Sequence, residues 1–196
     1  MRVVGLALVA LLAACAAPHI RQADTALLAA QHERERLLAS QPRWSLTGRV
    51  AVSDGKDGGS GSLEWLHTPE ATRFELRAPV SRQSWRLSVD ETGARLDGLE
   101  GGPREARRAE ALLRRELGWE LPLVDLSAWV RGARGDGRAR IEFGADGLPA
   151  LIEQHGWRVE YRGWDHTHTP PLPTRVFAER GPHRVRLAIS RWQIGS

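Results

Sequence analysis

The segment Trp44-Ser45-Leu46-Thr47-Gly48-Arg49-Val50-Ala51-Val52-Ser53 marks a change in the period of the chain from helical to extended. Within it, large apolar residues and one glycine alternate with polar or small residues. Successive side chains of a β-strand point to opposite faces, so this alternation predicts a half-buried strand. One face of that strand is expected to cover a hydrophobic core.

Short strands of the same kind are predicted on both sides of two mid-chain helices. Their apolar positions are Leu63/Trp65, Phe74/Leu76, Trp85/Leu87/Val89 and Leu96 before the helices, and Ile141/Phe143, Leu151, Trp157/Val159/Tyr161, Val176 and Val185/Leu187/Ile189 after them. Turn residues such as Thr68-Pro69 separate these strands, and the glycine-rich residues 54–61 are predicted to form a flexible connection. The order indicates an antiparallel meander.

Three helices are predicted, over residues 20–38, 103–117 and 123–130. The second has a proline at its first position and Gly118 just past its end, the usual asymmetry of a helix. Its apolar stripe consists of Ala106, Ala109, Leu113 and Leu117. The two mid-chain helices are therefore expected to cover one face of the sheet.

The element order predicts an α+β protein that is mainly β, with a curved antiparallel sheet and about three helices. A sheet of about ten strands is large enough to curl. Its concave face is covered either by a filled core or by a cavity for an apolar ligand, and the pattern leaves both open. The eight tryptophans, against three phenylalanines and one tyrosine, suit either interior.

The first residues have the features of a secretory leader. The charged start Met1-Arg2 precedes an apolar run from Val3 to Ala14, which is too short to span a bilayer. The run ends in Leu12-Ala13-Ala14-Cys15, which matches the lipobox of bacterial lipoproteins. The alternative is an ordinary signal peptide that happens to be followed by a cysteine. However, Cys15 is the sole cysteine, and lipidation would account for a thiol that could otherwise stay free in an oxidising compartment.

This interpretation divides the chain into a signal peptide (1–14), a lipidated tether (15–22) and a single binding domain (23–196). Resemblance to lipoprotein sorting signals favours the outer membrane over the inner one, because Ala16 and not aspartate follows the cysteine. Removal of Arg2 with the leader leaves 27 basic and 24 acidic residues, a formal charge of +3. These charges are interleaved along the chain, so a nucleic-acid partner is not expected.

The sequence offers no pattern typical of catalysis. Gly55-Lys56 lacks the spacing of a phosphate-binding loop, and Ser60-Gly61-Ser62 lacks that of a nucleophile elbow. Asp165, His166 and His168 form either a partial metal site or a polar loop, and the missing third ligand at helical spacing favours the loop. We therefore expect no enzyme activity, no cofactor, no metal and no catalytic residue.

Several motifs resemble those of the LolB family of lipoprotein receptors, in the same order along the chain. They are Trp44–Ala51, Gly61–Trp65, Phe74–Pro79, Leu112-Leu113, Gly118–Pro122, Leu126–Gly132, Gln154–Tyr161, Leu172-Pro173 and Arg184–Ile189 with Trp192. Each motif is weak alone, and the match becomes specific through their order, their spacing and the lipobox.

The resemblance implies an incomplete antiparallel β-barrel around a hydrophobic cavity, partly closed by helices. It also implies a receptor that takes lipoproteins from the periplasmic carrier LolA and inserts them into the inner leaflet of the outer membrane. The partners expected from it are a LolA-type carrier, the acyl chains of lipoprotein cargo and the outer membrane, with the chain acting as a monomer.

On this interpretation, alternating residues on the concave face and on the two covering helices line the acyl-chain cavity. They are Trp44, Leu46, Val50, Trp65, Leu76, Leu87, Leu113, Trp129 and Val159. A register error of one residue would invert this assignment. The family's membrane-insertion loop, typically Pro-Leu-Gly, corresponds to Pro79-Val80-Ser81, where the apolar residue is shorter and serine replaces glycine. A plain hairpin turn is the alternative for these three residues.

Other functions remain open at the level of sequence. A lipoprotein with the same scaffold could carry a different hydrophobic molecule. A structural lipoprotein of outer-membrane assembly would have a core that is simply filled. An enzyme is the class that the sequence favours least.

Overall fold

The structure is a computed structural model that describes residues 20–78 and 84–195. Cys15 and the residues predicted to form the insertion loop, Pro79, Val80 and Ser81, lie outside the described residues. The helices are α1 (Thr25–Ala39), α2 (Ala109–Leu117) and α3 (Leu123–Trp129). The strands are β1 (Arg21–Gln22), β2 (Trp44–Ser53), β3 (Gly58–His67), β4 (Ala71–Arg77), β5 (Ser84–Asp90), β6 (Gly93–Asp97), β7 (Arg104–Ala106), β8 (Ala139–Phe143), β9 (Pro149–Gln154), β10 (Trp157–Tyr161), β11 (Trp164–Asp165), β12 (Leu172–Pro173), β13 (Arg175–Arg180) and β14 (His183–Ile194).

One twelve-stranded antiparallel sheet contains most of these strands, in the order β1-β8-β9-β10-β13-β14-β2-β3-β4-β5-β6-β7. β1 and β7 form its two edges, so the sheet makes an incomplete barrel and does not close. The remaining strands, β11 and β12, form a separate pair. The predicted fold class is therefore confirmed.

The strand β2 lies near the middle of this sheet, between β14 and β3. Its burial alternates as predicted: Trp44, Leu46, Val50 and Val52 are buried, whereas Thr47 and the other outward residues are more exposed. Gly48 takes the remaining buried position of this series. Only glycine fits there, because a Cβ would collide with the carbonyl oxygen of Ala188 on β14. Next to this close approach, the register between β14 and β2 shifts at a bulge between Ile189 and Arg191, which bends the sheet.

Helix α1 begins later than predicted, at Thr25 and not at residue 20. The Asp24 side chain accepts a 2.8 Å hydrogen bond from the Leu27 amide and so caps the helix. The residues before the cap are extended, because Arg21 and Gln22 pair with β8 at the sheet edge.

Helix α2 also begins later than predicted, at Ala109 and not at Pro103. Arg104–Ala106 forms the edge strand β7, which pairs with Ala94–Leu96 of β6. Their backbone groups therefore find partners in the sheet and not in a first helical turn. The predicted end of the helix is correct, since Gly118 adopts a left-handed conformation with φ of 69°.

The glycine-rich connection predicted over residues 54–61 is shorter than expected. The Asp54 carboxylate accepts hydrogen bonds from the amides of Lys56 and Asp57 and closes a tight turn. Residues 58–61 are already part of β3, paired with β2. Gly61 faces the backbone of β4 so closely that a Cβ would meet the Arg77 carbonyl oxygen, which explains a glycine inside a strand.

Candidate functional site

The concave face of the sheet forms one wall of an apolar cavity. Inward side chains of seven strands line it: Val50, Val52, Leu63, Trp65, Phe74, Leu76, Trp85, Leu87, Leu96, Val176, Ala178, Val185 and Leu187. They share one face because each strand contributes every second residue. Neighbouring strands align these positions, as in the register pairs Trp65–Phe74 and Phe74–Leu87.

Helices α2 and α3 and the connector between them form the opposite wall. Its residues are Leu113, Leu117, Trp119, Leu121, Leu123, Leu126 and Val130. The connector, residues 118–122, has no regular secondary structure. Trp119 lies across the cavity from the sheet, with its ring 6.1 Å from that of Trp85 in an edge-on arrangement. Trp119, Leu121 and Leu123 are each only partly buried, so this wall is thin.

Chemically, the cavity offers apolar contact only. All of its lining residues are apolar, and its volume is about 90 Å³. A cavity without polar partners does not hold ordered water and favours a hydrocarbon guest. The geometry therefore suits an aliphatic chain and gives no means of polarising a bond.

The rest of the interior is filled, and we call it the packed half, defined by Trp44, Trp129, Trp157 and Val159. These side chains are at most 1% exposed. The rings of Trp129 and Trp157 lie 6.2 Å apart, and the Trp129 indole N–H donates a 2.9 Å hydrogen bond to Gln154 Oε1. The region around the cavity, defined by Trp85, Leu87, Leu113 and Trp119, we call the hollow half.

The nine residues predicted to line the cavity are all buried, but they divide between these two regions. Val50, Trp65, Leu76, Leu87 and Leu113 lie at the cavity wall. The structure instead places Trp44, Leu46, Trp129 and Val159 in the filled core. All nine side chains thus face the interior, and five of them border the void.

Two arginines, Arg34, which is buried, and Arg131, which is half-buried, join α1 to the end of α3. Each caps the C-terminal end of the helix to which the other belongs or is attached. Arg34 of α1 donates a 2.7 Å hydrogen bond to the Arg131 carbonyl, and Gln31 donates one of 3.0 Å to the Gly132 carbonyl. Arg131 in turn donates to the carbonyls of Leu38 and residue 41 at the end of α1. Positive charge at helix C-termini is favourable. We call this arrangement the arginine clamp.

The two arginines of the clamp remain charged although they are largely removed from solvent. Burial lowers the pKa of both Arg34 and Arg131 to about 10, which is still far above neutral pH. The guanidinium groups stack on aromatic rings, Arg34 at 4.8 Å from Trp164 and Arg131 at 5.4 Å from Trp44. The clamp therefore fixes the C-terminal end of α3 against the packed half.

Comparison with known proteins identifies the family. The sequence model of the family described as outer membrane lipoprotein LolB matches residues 42–192. The chain belongs to the LolB family. The outer-membrane lipoprotein LolB of Xanthomonas axonopodis pv. citri is 40% identical over 171 residues, 84% of this chain and 79% of that protein. The LolB of Xylella fastidiosa is 37% identical over 172 residues, 86% of this chain and 79% of that protein.

A solved structure shares the fold. The crystal structure of a LolA superfamily protein from Nitrosomonas europaea superposes with a TM-score of 0.56 and covers 87% of this chain and 94% of that one. The two sequences are only 11% identical, so this likeness concerns the fold alone.

The LolB motif Gly118–Pro122 forms the connector over the cavity, and this role was not predicted from the sequence. Apolar residues occupy every second position at Trp119, Leu121 and Leu123, which is typical of an extended segment with one apolar face. Trp85 was assigned to a strand but not to the cavity. In both cases the sequence shows the alternation of apolar residues, but it does not show which element lies on the opposite side of the cavity.

The Asp165 loop has a local structural role. The Asp165 carboxylate accepts hydrogen bonds from the amide and hydroxyl of Thr167, which hold its pKa below the ordinary value. His168 Nε2 lies 3.6 Å from the same carboxylate. Within residues 20–78 and 84–195, no group of three histidine, cysteine or acidic residues is placed to hold a metal ion. No helix in these ranges is long and apolar enough to cross a bilayer.

Proposed function

We propose that the chain is an outer-membrane receptor for lipoproteins, which it accepts from a LolA-type carrier and inserts into the inner leaflet of the outer membrane. It would act as a monomer that faces the periplasm, with residues 1–14 removed as a signal peptide. Lipid on Cys15 and the tether over 15–22 would hold the binding domain, 23–196, beside the membrane. Pro79, Val80 and Ser81 would form the membrane-insertion loop.

The observation that carries this proposal is the wholly apolar cavity in a chain of the LolB family. Each methylene of an acyl chain removed from water contributes about 0.8 kcal/mol, so the chains of one lipoprotein sum to tens of kcal/mol. Such cargo does not cross water unaided, and an apolar cavity compensates for its transfer. A cavity without polar groups also accepts any acyl chain, which suits a receptor for many lipoproteins.

The size of the cavity implies that it widens when cargo enters. Its volume of about 90 Å³ is smaller than the roughly 150 Å³ cavity that accommodates a benzene-sized guest. The arginine clamp holds the C-terminal end of α3, whereas the connector is partly exposed and begins at the left-handed Gly118. We infer that α2 and the connector move outward while the packed half keeps its shape.

A cavity-filling substitution tests the proposal. Ala178 lines the cavity, is 3% exposed and lies opposite Val185 and Val159 on the neighbouring strands. Ala178→Phe places a ring in the void. We expect loading with an acylated lipoprotein to fall by about tenfold or more, a change of roughly 1.4 kcal/mol in binding free energy. The measurement is transfer of a labelled lipoprotein from a purified LolA-type carrier.

Ala71→Phe is the matched control, because Ala71 is exposed at the start of β4. A folded Ala178→Phe protein that loads lipoprotein as well as this control would contradict the proposal. Native mass spectrometry of the unaltered protein gives a second measurement. Acylated peptide in the cavity supports the receptor, free lipid would indicate a carrier of another hydrophobic molecule, and an empty interior would indicate a structural lipoprotein.

A further inference from the structure

The convex face of the sheet carries a strip of arginines on three adjacent strands, β13, β14 and β2. The arginine strip consists of Arg49, Arg175, Arg184, Arg186 and Arg191, and all five are exposed. The strand register places Arg49 and Arg175 on either side of Ala188, and Arg186 beside Ala51. None of the five forms an ion pair with any carboxylate in the described part of the chain.

On both sides of the strip, several arginines of the same face are paired with carboxylates. On one flank Arg86 lies 3.0 Å from Glu75, and Arg95 lies 2.8 Å from Glu105. On the other flank Arg140 lies 2.7 Å from a carboxylate on its own strand. Within β13, β14 and β2, Glu179 is the single acidic residue. Unpaired positive charge is therefore concentrated on β13, β14 and β2, between strands that carry ion-paired arginines.

The residues between the arginines favour a layer of headgroups over a protein partner. They are Ser45, Thr47, Ala51, Ser53, Ala188, Ser190 and Gln193, which are small or polar, together with Glu179 opposite Arg184. The one aromatic residue, Phe177, is half-buried between the guanidinium groups of Arg162 and Arg186, at 4.4 and 5.6 Å. Protein interfaces are centred on buried aromatic and apolar anchors, and this strip has none available. Guanidinium groups alone suffice for phosphates, which they bind through two parallel hydrogen bonds.

The strip extends to the rim where the cavity connector lies. β2 ends and β14 begins at this rim, which brings Arg184 opposite Ser53. The paired ends of β4 and β5, Arg77 and Ser84, lie at the same end of the sheet. A Cβ on Gly59, close to this end of β3, would stand 3.7 Å from the Trp119 ring. A membrane that contacts the strip would therefore meet the rim of the cavity as well.

We propose that the arginine strip binds the phosphate headgroups of anionic phospholipids and so sets how the domain lies on the membrane. The proposal rests on the outer-membrane location proposed above, but not on the transfer of lipoproteins. Its test uses vesicles without cargo or carrier, so its failure is distinguishable from failure of the receptor function.

Vesicle flotation tests the strip. The protein used begins at residue 15 and carries Cys15→Ser, which removes the lipid anchor. The buried core described extends from Gln31 to Trp192, so this form retains it. We expect binding to equimolar phosphatidylethanolamine and phosphatidylglycerol, and much weaker binding when phosphatidylcholine replaces phosphatidylglycerol. Each arginine near an anionic surface contributes roughly fivefold at low salt, so Arg49→Gln/Arg175→Gln/Arg186→Gln is expected to weaken binding by on the order of a hundredfold.

The matched control is Arg86→Gln/Arg95→Gln/Arg140→Gln, which removes the same charge from ion-paired positions. A strip variant that is folded by circular dichroism and binds as well as this control overturns the proposal. Equal flotation of the Cys15→Ser form, with its strip intact, with both kinds of vesicle also overturns it. If inorganic phosphate released the protein from the vesicles more than chloride of equal ionic strength did, the strip would be assigned to free phosphate. Strip-dependent retention of a purified acidic carrier without vesicle binding would assign it to a protein.

Discussion

The packed half and the hollow half lie beneath one continuous sheet, yet Trp129 in the first and Trp119 in the second are held differently. In the packed half, Trp129 is fully buried and its indole N–H is hydrogen-bonded to Gln154. The backbone carbonyl of Trp129 also accepts a 2.8 Å hydrogen bond from the Tyr161 hydroxyl. In the hollow half, Trp119 is partly exposed, lies against a void and belongs to a connector without secondary structure.

This difference indicates how one small domain can be stable and still admit a guest. Close-packed interiors transmit strain and resist expansion, so a guest larger than the void enters only where one wall can move. Here Trp65 lies at the boundary, 5.0 Å from Trp44 in the packed half and 4.5 Å from Phe74 in the hollow half. The packed half therefore supplies stability and a fixed wall, and the hollow half supplies the space.

The largest expected effect is that of truncating a tryptophan in the packed half. Trp129→Ala would leave a cavity and remove one of the hydrogen bonds to Gln154, whose Oε1 would still accept one from the Gly135 amide, and we expect a loss of about 3–5 kcal/mol in the free energy of unfolding. Trp119→Ala, its counterpart in the hollow half, is expected to cost less than half as much, because its side chain is partly exposed beside a void. Urea denaturation followed by circular dichroism measures both. Similar losses for the two variants would show that the two halves do not differ in packing.

A smaller effect is expected from opening the arginine clamp. Arg34→Met keeps much of the side-chain length but leaves the Arg131 carbonyl without its 2.7 Å hydrogen bond. An unsatisfied buried acceptor costs about 1–3 kcal/mol. Arg36→Met is the control, since Arg36 lies on the same helix and pairs only with exposed Glu33. We also expect Arg34→Met to increase hydrogen exchange at residues 123–130, measured by mass spectrometry. Unchanged exchange there would show that α3 does not depend on the clamp.

The sequence predicts the sheet well because its signal is local. The alternation from Trp44 to Val52 fixes which side chains face inward, and the structure follows it. The division of those side chains between core and cavity depends on what lies opposite. Trp44 is covered by Arg131 from the end of α3, whereas Leu87 faces the void, and no pattern within β2 or β5 carries that information. Likewise Arg104–Ala106 has a helical pattern, and its pairing with β6 at the sheet edge decides against a helix.

The smallest expected effect concerns the ion pair between Glu35 and Arg134, next to the arginine clamp. The Arg134 guanidinium donates hydrogen bonds of 2.8 and 2.7 Å to the two oxygens of Glu35. Burial alone would raise the pKa of Glu35, but the bonds from Arg134 and Gln31 outweigh it and hold the pKa below the ordinary value of 4.5.

A carboxylate with a lowered pKa stabilises the fold above its unfolded-state pKa, and this contribution is lost as the pH falls through the folded-state value. Glu35→Gln is therefore expected to cost about 1 kcal/mol at pH 7, with the difference from the unaltered protein shrinking as the pH falls below 4.5. Urea midpoints across this pH range measure it, with Glu91→Gln in an exposed turn as the control. If the cost of Glu35→Gln were the same on both sides of pH 4.5, the ion pair would not be its source, and the stability of the packed half would have to rest on its tryptophans and the clamp alone.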